Sequence, residues 1–250
     1  MIIDTHCHLD KDDYENVEEV ITNFGDNIMI ASGTDINSSK DLLEIINKYP
    51  NVYGCIGIHP ECSDNVTEDD YKILEEMLQN EKIVGIGEIG LDYHYPEINK
   101  EKQKEVFIKQ IEIAKRNNKP IVIHTREAIY DTYDIIKRTK AYTVPITIHC
   151  FSESLEMARE FIKLGCKLGI GGVLTFKNGK RLKEVVSNVD LDNIVLETDS
   201  PYLAPEPLRG TKNEPKNVYL VAQKLAEIKE MSIEEVISIT TENAKRQYKI

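Results

Sequence analysis

Short apolar runs rich in β-branched residues recur along the chain: Met1 to Asp4, Asn27 to Ser32, Val52 to Gly57, Ile83 to Gly87, Pro120 to His124, Val144 to His149, Cys166 to Gly172 and Asn193 to Glu197. The segments between them carry helical periodicity, as at Phe107, Ile111 and Ala114, spaced by four and three. After the eighth run, Val218, Val221, Leu225 and Ile228 repeat that spacing, and Ser232-Ile233-Glu234-Glu235 has the pattern of a capped helix start. Strands alternating with helices imply parallel βαβ units. Eight of them predict an α/β fold, a single (β/α)8 TIM barrel over residues 1–250. The runner-up is an open doubly wound sheet, and its dinucleotide-binding form is disfavoured because no G-x-G-x-x-G opens the first crossover; Gly85-Ile86-Gly87 matches only in part. The Pro-rich stretch from Pro201 to Pro215 reads as a long loop on the active face.

Composition narrows the class. With 250 residues, 41% of them hydrophobic, the chain can bury one sizeable core. It has no membrane-length apolar run, and the opening Met1-Ile2-Ile3-Asp4 lacks the pattern of a signal peptide, so a soluble cytoplasmic protein without a membrane partner is expected. Five cysteines, odd in number and without a C-x-x-C pair, point to reduced thiols. A net charge of -12 argues against a broad basic surface that coats nucleic acid, yet leaves room for a phosphate substrate held through metal ions.

The polar, metal-capable residues fall at the ends of the runs: His6 and His8 after the first, Glu88 after the fourth, His124 and His149 closing the fifth and sixth, Asp199 after the eighth. Barrel enzymes build their sites on that C-terminal face. Any one buried histidine is more often a hydrogen-bonded core residue than a ligand. Four of the six histidines converging with two carboxylates on one face change the balance, because desolvating them without a cation is costly. Residues two apart in an extended segment point the same way, which pairs His6 with His8 and turns Cys7 aside. Six ligands exceed the three that catalytic zinc commonly takes, so two divalent ions fit better. Such a pair activates water and clamps the attacking and leaving oxygens of a displacement at phosphorus. Asp199 is the best candidate to accept the proton of that water.

Several motifs resemble those of TatD-type metal-dependent deoxyribonucleases, within the amidohydrolase-like barrels. They are Ile3-Asp4-Thr5-His6-Cys7-His8-Leu9-Asp10, Gly57-Ile58-His59-Pro60, Gly87-Glu88-Ile89-Gly90-Leu91-Asp92-Tyr93, His124-Thr125-Arg126-Glu127-Ala128, His149-Cys150-Phe151-Ser152 and Glu197-Thr198-Asp199-Ser200-Pro201-Tyr202-Leu203, with Arg209-Gly210 and Asn213-Glu214-Pro215. The resemblance covers the chain in order and spacing. It implies a two-metal phosphodiesterase with His6, His8, Glu88 and Asp199 on one ion, Glu88, His124 and His149 on the other, and Glu88 bridging. Glu88 stands where many relatives in the wider superfamily use a carbamylated lysine. The His-rich set suits zinc, manganese, cobalt or nickel, carboxylates favour magnesium, and the resemblance points to magnesium or manganese.

The implied reaction is cleavage of DNA phosphodiesters as a 3′–5′ exonuclease on single-stranded or frayed ends. A different substrate, such as a D-aminoacyl ester on tRNA or a small amide, would suit the same metals as Lewis acids. A metal-binding scaffold without turnover is disfavoured by retention of every expected ligand. His59 and Asp92 are assigned to the substrate or to support of the ligands. Arg126 has either a phosphate oxygen or a loop acid such as Glu127 as partner, and Arg209 poses the same choice. The run Phe176-Lys177-Asn178-Gly179-Lys180-Arg181-Leu182-Lys183 places four cations where a helix dipole disfavours them. It is either a solvated face or a phosphate contact, with Phe176 or Tyr202 as stacking partners. Glu153 and Ser154 depart from the family's glycine, and Glu153 adds a negative charge near the site.

Overall fold

The computed structural model describes residues 1–250. Its strands are β1 (Ile3–Cys7), β2 (Ile28–Ser32), β3 (Val52–Ile56), β4 (Ile83–Asp92), β5 (Ile121–Arg126), β6 (Ile146–Ile148), β7 (Lys167–Ile170) and β8 (Ile194–Leu196). Between and after them run α1 (Val17–Asn23), α2 (Ile36–Lys48), α3 (Glu68–Met77), α4 (Lys100–Arg116), α5 (Ile129–Thr139), α6 (Leu155–Lys163), α7 (Lys180–Asn188), α8 (Val218–Lys229) and α9 (Ile233–Tyr248). The strands form one eight-stranded sheet in the order β1 to β8, and Cys7 bridges in parallel to Ser200, just past β8. That order, with its helical crossings, is the (β/α)8 barrel expected from the eight apolar runs. A parallel sheet covered on its outer face explains why the runs are continuously apolar rather than alternating.

Two compact units divide the chain: Met1–Ala31 with Cys150–Ile250, and Ser32–His149. In the first, α9 is capped by Ser232, whose side chain accepts the Glu235 N–H while the Glu235 carboxylate accepts the Ser232 N–H. Val218, Val221 and Leu225 of α8 are buried as their spacing requires. No regular helix or strand interrupts 201–214, the long loop expected there. In the second unit, α4 turns Val106, Phe107, Ile111 and Ala114 inward. No helix is long and apolar enough to cross a membrane.

Strand boundaries differ from those expected in two places that matter. β1 begins and ends later than its apolar run, so His6 lies inside the strand. β4 does not stop at Gly87. Its register against β5 shifts between Ile86 and Ile89, then continues with Gly90 opposite His124 and Asp92 opposite Arg126. Glu88 therefore sits at the irregularity in mid-strand rather than beyond its end, with a cis peptide before it. Glycine is required beside it: a Cβ on Gly90, whose φ is +149°, would collide with the His124 carbonyl oxygen.

Candidate metal centre

In the first unit, β1 and the residue after it bring His6 and His8 together. Their Nε2 atoms lie 3.3 Å apart, while Cys7 turns to the Ile30 carbonyl. Asp199 Oδ1 lies 3.8 Å from His6 Nε2 and 3.7 Å from His8 Nε2. A point equidistant from the three atoms is roughly 2.1 Å from each, the length of a zinc–nitrogen or metal–carboxylate bond. These donors fit a divalent cation in both chemistry and spacing.

Backbone geometry fixes that triad. Asp199 has φ +56°, its N–H donates to the His6 carbonyl at 3.0 Å, and the His8 N–H donates to the Ser200 carbonyl at 2.7 Å. Behind them the buried Asp4 carboxylate accepts from the Thr198 N–H at 2.9 Å, the Thr198 hydroxyl at 2.5 Å and the His6 N–H at 3.3 Å. Burial pushes the Asp4 carboxyl well above its ordinary range, opposed by those donors. Asn213, also buried, donates to the Thr198 and Tyr202 carbonyls at 3.0 and 2.8 Å, cinching the loop that carries Asp199. Glu197 accepts the Cys150 N–H at 2.5 Å, and a side chain at Gly169 would strike its carboxylate.

In the second unit, Glu88 is the hub. Its Oε1 lies 2.7 Å from His124 Nδ1, 3.3 Å from His149 Nε2 and 3.8 Å from His59 Nε2. His59, Glu88 and His124 offer ligand atoms within 4.8 Å of one another. The other nitrogen of His124 is 3.0 Å from Asp92 Oδ2, so this imidazole stands between two carboxylates. Burial alone would lower its pKa, but the bonds to Asp92 and Glu88 outweigh that and hold it at about 9. Burial likewise works to raise Asp92, and the bonds from His124 and the His94 N–H, with the Arg126 charge, bring it below its ordinary value. His59 has a settled tautomer. Its Nδ1 accepts the Glu61 N–H at 3.2 Å, which leaves the proton on Nε2, facing Glu88.

Two glutamines of α4, neither anticipated, hold the backbone of this cluster. Gln110 bonds both the Ile58 N–H, at 2.8 Å, and the Ile58 carbonyl, at 3.0 Å, next to His59, while Gln103 accepts the Asp92 N–H at 3.0 Å. The readable signal was their position: polar residues seven apart on the face that carries Phe107, Ile111 and Ala114. Asp4 and Asn213 were equally missed as supports, though both stand inside motifs already noted.

The two arginines lie outside both clusters. Arg126 makes no pair with Glu127, which bonds His94 Nδ1 at 2.7 Å; its guanidinium instead sits 5.9 Å from the Tyr95 ring centroid. Arg209 rests 4.3 Å over the Phe176 ring. The negative charge of Glu153 meets Arg181 at 3.7 Å. α7 does begin at Lys180, with no acidic residue in its first turn and no side-chain cap.

Residues 3–249 match the family model for TatD related DNase. An uncharacterized metal-dependent hydrolase of Bacillus subtilis, YabD, is 44% identical over 254 residues, covering the whole of both chains. One from Methanocaldococcus jannaschii, MJ1582, is 38% identical, covering 99% of this chain and 96% of its own. Among solved structures, YjjV, a TatD homolog from Escherichia coli, superposes with a TM-score of 0.91 at 26% identity, covering 100% of this chain and 98% of that one. A TatD family hydrolase from Entamoeba histolytica shares the fold, with a TM-score of 0.87 at 22% identity over 99% and 97% of the two chains.

Proposed function

The chain belongs to the TatD-related DNase family, and on that premise we propose that it hydrolyses DNA phosphodiester bonds, working inward from single-stranded or frayed 3′ ends. As a member of that family it is a metal-dependent hydrolase. The observation that carries the reading is the set of His6, His8 and Asp199 atoms spaced for one cation. Following the family's ligand pattern, His6, His8, Glu88 and Asp199 would hold one ion, and Glu88, His124 and His149 a second. Bound divalent cations supply Lewis-acid activation of water and neutralise phosphate charge.

The protein's own groups do the rest. Asp199 takes the proton from the attacking water. Asp92 orients His124 from behind, in the way a carboxylate fixes a ligating imidazole, so its duty is support rather than substrate contact. His59, with its proton on Nε2, donates to a non-bridging phosphate oxygen. Arg126 and Arg209, neither in an ion pair, contact the DNA strand rather than the water that attacks it. DNA is therefore recognised through an end rather than through a broad basic face, consistent with the net charge of -12.

The test is to strip the protein with a chelator and restore magnesium, manganese or zinc singly. Digestion of single-stranded DNA labelled at either end is then followed beside an Asp199→Asn control. Metal-dependent shortening from the 3′ end, lost in the variant, is expected. DNA left intact under every metal, while an aminoacyl-tRNA or small ester is cleaved, would replace the substrate and leave the metal centre standing.

A further inference from the structure

The first unit carries a surface beside its ligand triad that hydrolysis alone does not require. Tyr202, three residues past Asp199, is 55% exposed, yet its ring stands edge-on to His8, with centroids 6.0 Å apart. Further along the same loop, exposed Arg209 covers the ring of Phe176, itself only 8% exposed. The two loops are joined: the Glu206 N–H donates to the Thr175 hydroxyl at 2.8 Å, and Gly172 packs so closely on the Leu203 carbonyl that no side chain would fit. Aromatic and guanidinium faces are thereby held open next to a metal ligand.

The charges nearby are cations without acidic partners. Some lysines of this chain pair with acids, as Lys72 with Asp69 and Lys104 with Asp131. Lys177 and Lys180, exposed on the loop and helix start that follow Phe176, make no ion pair, and neither does Arg209. In a molecule of net charge -12, unneutralised cations around the exposed Tyr202 ring and Arg209 guanidinium are complementary to an anionic ligand with flat rings.

We propose that Tyr202, together with Arg209 seated on Phe176, is a base-stacking platform for unpaired nucleotides next to the phosphate being cleaved, with Lys177 and Lys180 following the strand's backbone. This rests on the nuclease reading and specifies what that site grips. A duplex interior keeps its bases stacked on one another and cannot offer them to Tyr202, whereas a single strand or frayed end can. The platform thus supplies the preference for unpaired ends through the bases, and no sequence preference follows, because every base has a π face.

The experiment measures the affinity of the manganese-loaded protein for a nuclease-resistant phosphorothioate 12-mer, and for the same strand with two abasic sites at each end. Tyr202→Ala and Arg209→Ala should each weaken binding of the intact strand by about 10-fold. Tyr202→Phe should stay within about 2-fold of the wild type, since the π face remains. The wild type should lose at least as much affinity on the abasic strand as Tyr202→Ala loses on the intact one, and neither Tyr202→Ala nor Arg209→Ala should add a further loss on the abasic strand. Replacing Lys177 and Lys180 by Gln should lower the slope of log affinity against log salt by about 0.7 each. Unchanged affinity in both Ala variants, or an abasic strand bound as tightly as the intact one, overturns the platform. Digestion of the unmodified strand separates the two failures: if DNA is digested while the variants bind normally, only the platform falls, and if the wild type neither binds nor digests DNA, both fall.

Discussion

The two candidate ligand clusters are built on opposite principles. In the first unit, His6 Nε2, His8 Nε2 and Asp199 Oδ1 stand 3.3 to 3.8 Å apart, at the separation of atoms sharing a cation. In the second, His124 touches Glu88 at 2.7 Å and Asp92 at 3.0 Å, the separation of atoms sharing a proton. One set is already spaced for a metal. The other has the bonding of a protonated imidazole, whose proton a metal must displace. The lesson is that a ligand set can look complete in residue type and still differ in what occupies it before the ion arrives.

The largest effect should come from Asp199→Asn, which on the proposed mechanism would remove both a ligand oxygen and the proton acceptor. Turnover on single-stranded DNA is expected to fall by about 1,000-fold, measured with manganese at saturation. A variant that kept a tenth of the activity would take Asp199 out of the chemistry. Next, Asp92→Asn should cost about 10- to 100-fold in metal affinity or activity by loosening His124, whereas the triad of the first unit should keep its affinity. Titration calorimetry resolves the two, and equal losses at both clusters would erase the distinction.

Proton release sharpens the contrast further. The folded pKa of His124 is raised from 6.5 to about 9. Its charged form therefore stabilises the metal-free fold fully below pH 6.5, and that contribution is lost as pH rises through about 9. Metal uptake at the second cluster should expel close to one proton at neutral pH and strengthen as pH rises toward 9. Calorimetry in buffers of different ionisation enthalpy counts that proton, and uptake independent of pH would refute a proton held by His124. The smallest effect is structural: Gln110→Ala leaves the Ile58 N–H and carbonyl without their partner and should lower stability by about 1–3 kcal/mol, read from urea unfolding. His59 would loosen with it, so a several-fold rise in KM should accompany the loss.

Much of this centre was legible from where polar residues interrupt apolar runs. His6, His8, Glu88, His124, His149 and Asp199 stood out because nothing in a strand core calls for them. The extent of β4 was not legible: Gly85, Gly87 and Gly90 mimic a strand ending, and only pairing with β5 carries the strand on to Asp92. The Arg126 alternatives of phosphate or Glu127 omitted its position against Tyr95, with Glu127 bonded to His94 instead. Asp4 was hidden because a carboxylate at the close of an apolar run looks like a turn signal, although it is buried and ties β1 to Thr198. The tautomer of His59 depends on one backbone N–H two residues ahead, a matter of geometry that spacing cannot supply.

The most direct test is anomalous scattering from crystals soaked in manganese. Two peaks are expected: one within bonding distance of His6 Nε2, His8 Nε2 and Asp199, the other against Glu88, His124 and His149, with the second weakening first as the soak is made more acidic. A single peak at saturating manganese, or a second cluster that fills as readily in acid as the first, would contradict a centre made from one set spaced for a metal and one held by a proton.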